Sequence, residues 1–515
     1  MKKTALLLTG IAIACACVNA QKKVASYPFE FNKGFLAKKN YESFFLPEPA
    51  NKYFILVLRD NEKADYILYN DELKKLTSFS PADGLKSTVF NFDDQEYLGG
   101  TAARGIFHFV YKVTDKRFLG KRIYYYVENV DPVNKTVSSR ELFTIPEEEK
   151  LMISFGNFGE YYSITANDET NELVFYGINS AGESFVKRVK IAVPVTAKKK
   201  RLSDYLDDIK LFTIGKDEDP ELESATEKVK IFHSPQRLTI VTNEDDDPTQ
   251  VIMVNTSDYS VTQKSIDHSP LTKDEKGQSY VNSFLFDNNI YSLVLNKKNI
   301  RIAIYNATTG QLLKTHEINT ETDMNTFAEA PVTETRTGNR LADEKDVDNI
   351  KKLIKALDKG TEAIMLNKER NGNVVMTIGT YDKIKVHSGG SGPTYYQQSY
   401  YSSAPDPSGY NTRVGNMYEV SKTVYVPGNP VSMRYGANFY KSTHFKLLVD
   451  PRTLNLINGG TVSSPLNDMI KDYMNRVGRK AYACNQFMIG GKEYFGYYNR
   501  DEKIYYIEEI FLKKN

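Results

Sequence analysis

The chain has no tryptophan and only three cysteines in 515 residues. Two of these, Cys15 and Cys17, lie in the first twenty residues, so removing that segment leaves Cys484 alone and excludes any intramolecular disulfide. Neither charge is in surplus: 67 basic residues face 65 acidic ones. Two of the lysines are also in the first twenty residues, so the remainder is balanced. A balanced chain lacks the basic excess that a general nucleic-acid or anionic-membrane binder needs. After the N-terminus, no stretch approaches the roughly 18 consecutive apolar residues of a membrane-spanning helix. What the chain has in quantity is aromatic: 35 Tyr and 27 Phe, residues that favour strands over helices.

The N-terminus has three parts. Lys2 and Lys3 are positive, Ala5 to Cys17 is apolar apart from Thr9 and Gly10, and Val18-Asn19-Ala20 puts small residues at the minus-three and minus-one positions of a cut before Gln21. This is the layout of a secretory signal peptide over residues 1–20. A lipoprotein signal acylating Cys15 or Cys17 fits less well, because Ala12 and Ala14 stand where a Leu-like residue is usual. The expectation is an exported protein that is periplasmic, outer-membrane-associated or at the cell surface, with no transmembrane helix after cleavage. Lack of a disulfide suits a Gram-negative envelope. The Gln directly after the cut and the Lys/Asn/Tyr-rich composition resemble the style of Bacteroidota proteins.

A phrase recurs along residues 21–515: an apolar or aromatic strand ends near Asn or Asp, a short polar turn follows, and a second strand alternates. Copies are Ala64 to Asn70 with Leu73 to Phe79, Arg122 to Asn129 with Thr136 to Ile145, and Leu173 to Gly177 with Glu183 to Val193. Others are Gln250 to Asn255 with Tyr259 to Ile266, Ile300 to Asn306 with Gln311 to Ile318, and Phe445 to Asp450 with Thr453 to Ile457. An Asn or Asp side chain bonds to the backbone two residues on and starts a tight turn. Continuous apolar runs such as Phe54 to Leu58 and Tyr291 to Leu295 suit inner strands buried on both faces. Each unit reads as a buried strand, a second strand and an outer strand. The rhythm resembles the β-propeller architecture, which implies an all-β domain of six or seven antiparallel blades. Strands within Tyr482 to Leu512 are expected to pair with the N-terminal strand near Tyr27 to Phe31.

Two insertions interrupt this single domain. At about 320–360, Val347, Ile350, Leu353, Ile354 and Leu357 share a helical face, with Asp343 and Asp346 as candidate caps and Gly360 as the stop. A second helix is expected from Ser464-Pro465 through Val477. Both apolar stripes are expected to pack on the sheets. Residues 386–440 form a long Gly/Ser/Tyr-rich arm. Within it Tyr395, Tyr396, Tyr400, Tyr401, Tyr410, Arg413 and Tyr418 are the candidate binding residues, since Tyr gives large contact area with a polar tip at low entropic cost.

No catalytic or metal motif is legible. None of His108, His233, His268, His316, His387 and His444 lies within four residues of another, so there is no helical zinc pair. His108, inside the apolar run Gly105 to Tyr111, reads as a core residue. There is no Gly-x-Ser-x-Gly elbow, and Ser388 to Pro393 reads as a loop. There is no phosphate loop. Cys484 reads as a structural thiol. The acidic run Glu244 to Asp247 lacks the alternation of a calcium loop and reads as a hairpin tip. Lys198 to Arg201 reads as a solvated linker. No cofactor is expected. The leading expectation is a non-enzymatic binding or scaffold protein engaging an envelope protein or a glycan through loops. The alternative is a glycan hydrolase or lyase using carboxylates near a central channel.

Overall fold

The computed structural model describes residues 22–31, 42–48, 52–60, 63–81, 95–117, 120–157, 159–192, 201–207, 209–213, 222–244, 247–268, 271, 280–337, 340–368, 372–383, 440–460, 462, 481–489 and 492–509. These form seven sheets, antiparallel save for one short pair.

Strand β1 (Lys22–Pro28) comes first in the chain but belongs to the last sheet. The first sheet is β2 (Glu42–Glu48), β3 (Tyr53–Arg59), β4 (Ala64–Asn70) and β5 (Lys75–Phe79), in that order. The second is β6 (Gln95–Ala103), β7 (Ile106–Arg117), β8 (Gly120–Asp131) and β9 (Thr136–Phe143). The third is β10 (Glu149–Asn157), β11 (Glu160–Asn167), β12 (Glu172–Ile178) and β13 (Ser184–Lys190). A short helix α1 (Leu202–Tyr205), strand β14 (Lys210–Thr213) and a second short helix α2 (Leu222–Ala225) precede the rest of the fourth sheet. That sheet runs from β14 through β15 (Val229–Ser234), β16 (Arg237–Glu244) and β17 (Asp247–Asn255) to β18 (Val261–Ile266). The fifth is β19 (Tyr280–Phe286), β20 (Asn289–Leu295), β21 (Ile300–Asn306) and β22 (Leu312–Ile318).

The sixth sheet is the irregular one. After β23 (Glu329–Thr337), β24 (Arg340–Asp346) and helix α3 (Ile350–Leu357), the chain enters β25 (Thr361–Lys368), β26 (Val374–Lys383), β27 (Tyr440–Val449) and β28 (Leu456–Ile457). β25, β26 and β27 occupy the usual places, but the far edge of β27 is shared by β28 and by the β23–β24 hairpin. The seventh sheet is β29 (Ala481–Ile489), β30 (Lys492–Asn499) and β31 (Ile504–Glu509), completed by β1.

The first strands of neighbouring sheets touch one another: β2 meets β6 and β29, β6 meets β10, and β19 meets β25. They therefore lie innermost, and the sheets are the blades of a β-propeller. Apolar clusters fill the gaps between blades, joining the seventh sheet to the first, the first to the second, the third to the fourth, and the fourth through sixth together. The apolar runs seen in the sequence become β3 and β20, buried along almost their whole length. They are second strands, not innermost ones. Five of the seven sheets have four strands, the fourth has five and the sixth has six, where the sequence rhythm suggested three, because the innermost strands carry Ser, Thr, Asn and Gly among their apolar residues and broke the pattern.

The recurring hairpin is the third-to-fourth strand turn, and its chemistry is as expected. Asn70, Asn255, Asn306 and Asp450 each accept backbone N–H bonds from two to four residues ahead, at 2.8–3.2 Å. In two copies the turn residue sits two positions later than expected, at Asp131 instead of Asn129 and at Asn179 instead of Gly177. In the second blade the strand continues past Asn129, whose side chain turns inward to His108. The seventh blade has no such hairpin, since β1 supplies its outer strand, with Tyr27 opposite Tyr505 and Pro28 opposite Ile504. That pairing matches the expected closure.

Helix α3 buries Ile350, Leu353, Ile354 and Leu357 against the fifth and sixth sheets, as its stripe predicted. Its cap differs from expectation. Asn349 accepts from the Lys352 N–H at 2.9 Å, whereas Asp343 and Asp346 lie in β24. The expected helix from Ser464 to Val477 lies outside the described residues. The acidic run does form a hairpin end, with Glu244 paired to Asp247 between β16 and β17. No helix among the described residues is long and apolar enough to cross a membrane.

Candidate functional site at the upper end of the ring

Innermost strands all begin at one end of the ring, termed the upper end; the loops joining second to third strands lie there as well. The Gly/Ser/Tyr-rich residues 384–439 join β26 to β27 and so leave from this end. Their exit is fixed. β26 and β27 stay in register out to Lys383 opposite Tyr440, and β23 runs beside them to Arg336 opposite Tyr440. The sixth blade thus ends in a stem whose strands are longer than the seven-residue strands of the fifth blade. Tyr395, Tyr396, Tyr400, Tyr401, Tyr410, Arg413 and Tyr418 themselves lie outside the described residues.

A second feature of the upper end was not legible in the sequence. The connection between the third and fourth sheets does not simply step from blade to blade. Helix α1 docks on the third blade: the Ser203 N–H and hydroxyl donate to the two carboxylate oxygens of Asp168 at 2.8 and 2.7 Å. Leu202, Tyr205, Leu206 and Ile209 are buried between blades three and four. β14 then lies parallel to β15 as an added inner strand, Lys210 opposite Lys230. Helix α2 passes the fifth blade and packs on β25 and β26 of the sixth. There the Tyr381 hydroxyl donates to Glu223 at 3.1 Å.

Where this crossing segment returns to the fourth blade, a polar cluster sits among inner strands of three blades. Lys230, on β15, is fully buried. Its ammonium donates to the Glu227 carbonyl at 2.6 Å and to Asn282 Oδ1, on β19, at 3.1 Å. The Asn282 amide in turn reaches the Thr226 carbonyl at 3.5 Å. Glu362, on β25, is buried nearby and attracts the lysine charge together with Glu227. Burial outweighs these attractions and pulls the Lys230 ammonium down to about 7. The sequence signal, in retrospect, is a lysine between Val229 and Ile231 in the apolar first half of β15. On period two it shares the face of Phe232, which points to the core.

Three further carboxylates are held by the fold's own bonds, Glu149 and Glu128 buried and Glu42 half-buried. Glu149 accepts from Thr165 at 2.7 Å and Tyr176 at 2.8 Å, and pairs with Arg188 at 3.0 Å. Glu42 pairs with Arg59, and Glu128 accepts from Tyr66 at 2.8 Å. The histidines are dispersed. His108 bonds through Nδ1 to Asn129 at 2.6 Å, and burial lowers its pKa. His316 and His444 lie on β22 and β27, and His316 Nε2 meets the Leu454 carbonyl at 2.7 Å. Cys484 lies on β29. His387 and Ser388 to Pro393 lie outside the described residues, as do residues 198–200 of the basic run. Among the described residues, no three His, Cys, Asp or Glu side chains converge as a metal site.

No protein-family model matches this chain, and no curated relative matches it. Among solved structures, the β-propeller domain of Vanderwaltozyma polyspora Nup133 is similar over 96% of this chain and 99% of its own, at 8% identity and a TM-score of 0.31. The β-propeller domain of the Pyrococcus furiosus Trilobed protease is similar over 55% and 78%, at 10% identity and 0.23. Synechocystis apocarotenoid oxygenase is similar over 54% and 62%, at 7% identity and 0.28, so this chain spans less than two thirds of that enzyme's length.

Proposed function

We infer that this protein is an exported, non-enzymatic binding or scaffold protein, resident in the envelope or at the cell surface, that engages a protein or glycan partner through loops at the upper end of its propeller. The observation that carries this reading is the stem of the sixth blade. A long segment rich in Tyr, Gly and Ser is held on strands kept in register to its first and last residues. A rigid scaffold presenting an aromatic-rich loop is the usual construction of a recognition surface. Export is supported by the three-part N-terminus. The binding reading is favoured over the glycosidase alternative because Glu149 and Glu42, on the inner strands β10 and β2, are committed to Arg, Tyr and Thr partners.

The test is affinity purification from gently solubilised envelopes, comparing the full chain with one in which Gly389 to Asn438 is replaced by a short Gly-Ser link. The full chain is expected to retain a stoichiometric partner, or to bind immobilised envelope glycans, and the deleted chain to lose it at unchanged thermal stability. Equal retention by both chains would place the recognition surface elsewhere.

A further inference from the structure

The crossing segment that leads from the third to the fourth blade is held down over residues 222–229 by polar contacts from three blades. Glu223 takes a bond from Tyr381 of the sixth blade, the Thr226 carbonyl takes one from Asn282 of the fifth, and the Glu227 carbonyl takes one from Lys230 of the fourth. Among these residues Ala225 and Val229, at the two ends of the polar stretch, are buried, with Leu222 packed at the margin of the core. A segment fastened mainly by hydrogen bonds, next to a wholly buried amine, opens locally when that amine gains by reaching water.

We propose that Lys230 is a proton-sensitive latch: bonded to Asn282 and to the Glu227 carbonyl, it fastens residues 222–229 over the inner strands of the fourth to sixth blades, and protonation loosens that segment. The groups facing the amine are Glu362 from β25, Asn282 from β19, Glu227 from its own connection, and Val241 opposite it on β16. Half-buried Lys210 stands opposite it in register on β14, and the Glu223–Tyr381 pair lies one step beyond. Glu227 and Glu362 favour the ammonium, but burial dominates.

The sign follows from linkage. In the closed segment the amine is neutral above about 7; in the opened segment it is solvated and takes a proton below the ordinary lysine value of about 10.4. Opening therefore becomes easier as pH falls from about 10 toward 7, by up to tenfold per pH unit, and levels off below 7. This inference concerns the chain alone and does not rest on the binding reading above.

Native-state hydrogen exchange of the full chain tests it. Protection factors for amides 222–234, corrected for the intrinsic exchange rate, are expected to fall several-fold per unit between pH 9 and 7 and to level below 7. Amides of the β7–β8 hairpin should serve as a flat reference. Lys230→Met is expected to abolish the slope, and Glu362→Gln, which removes an attracting carboxylate, to move the levelling point to lower pH. A slope that survives in Lys230→Met, or a levelling point unmoved by Glu362→Gln, overturns the latch; the second variant keeps the test valid should the first fail to fold.

Discussion

The Tyr27 hydroxyl donates to Asp65 Oδ2 at 3.0 Å, across the seam where the last blade meets the first. Tyr27 belongs to β1, which completes the seventh sheet, and Asp65 to β4 of the first. The chain then carries Phe29 and Phe31 into the cluster between these two blades, where Phe31 meets Tyr498 edge-on at 4.5 Å. The bond and the rings are separable contributions. Tyr27→Phe loses one hydrogen bond and is expected to cost about 1 kcal/mol. Phe29→Ala or Phe31→Ala leaves a cavity at the seam and is expected to cost about 3 kcal/mol. Urea unfolding of the full chain checks both values. Phe29→Ala and Phe31→Ala variants as mild as Tyr27→Phe would show that the seam is held by β1 pairing alone.

Between the first two blades lies a charge cluster with almost no access to water. Arg59 is 3% exposed; it pairs with Glu42 at 3.0 Å and lies 4.6 Å from the Tyr111 ring. Glu128, also buried, accepts from Tyr66, and desolvation raises its carboxyl while Arg59 and Tyr66 pull it back. Removing one sign of charge from such a site is costly because the other remains buried. Arg59→Met is expected to destabilise the chain by about 3–5 kcal/mol. Adding Glu42→Gln and Glu128→Gln to that variant should recover most of the loss, since neutral amides need no counter-charge. A triple variant no more stable than Arg59→Met would mean that Arg59 acts through packing of its side chain, not its charge.

The blades were legible because their third and fourth strands are written in a repeated local code, an apolar run closed by Asn or Asp. Six copies of that code correspond to six blades. The seventh could not be read as a hairpin because its outer strand is β1, hundreds of residues away. The innermost strands were missed for a different reason. They pack against one another near the axis, where small and polar residues such as Ser43, Thr101, Asn282 and Ser283 are buried and hydrogen-bonded to neighbouring elements, so no apolar alternation marks them. The Lys230 cluster is least legible of all. Lys230, Asn282 and Glu362 are contributed by three blades, and only the ring geometry brings them together.

The turn code also contains a strained position. The fifth residue of the hairpin turn is left-handed: Gly310 at φ 76°, but Lys135 at φ 56° in the second blade. A side chain there costs about 1 kcal/mol that glycine avoids. Lys135 is exposed and its turn is held by Asp131, which accepts from the Val133 and Asn134 N–H groups at 3.0 and 2.9 Å. Lys135→Gly is expected to raise stability by about 0.5–1 kcal/mol, and Asp131→Ala to lower it by about 1 kcal/mol. Thermal unfolding of the two variants reads both signs. A destabilising Lys135→Gly would show that glycine's freedom in the unfolded chain outweighs relief of the turn.

His268 gives the fold a defined weakness toward acid. It is buried beside Thr249, whose hydroxyl lies 2.9 Å from Nε2, and Tyr305, whose hydroxyl lies 3.3 Å from Nδ1. Burial pushes the imidazole down to about 4, with Asp267 drawing it partly back. Above pH 6.5 the ring is neutral in both folded and unfolded chains and stability does not depend on it. Between pH 6.5 and about 4 the unfolded chain takes the proton and the folded chain does not, so stability falls with pH across that window and levels below it. The loss attributable to this ring is expected to reach about 3 kcal/mol at pH 4. His108, His316 and His444 are lowered by burial as well and add to the same slope, so the difference between the wild-type chain and His268→Gln is the informative quantity. Urea midpoints at pH 7.5, 6, 5 and 4 should converge for the two chains as pH falls, because the variant has no proton to exclude. Parallel midpoints would show that His268 is solvated or already protonated within the folded ring.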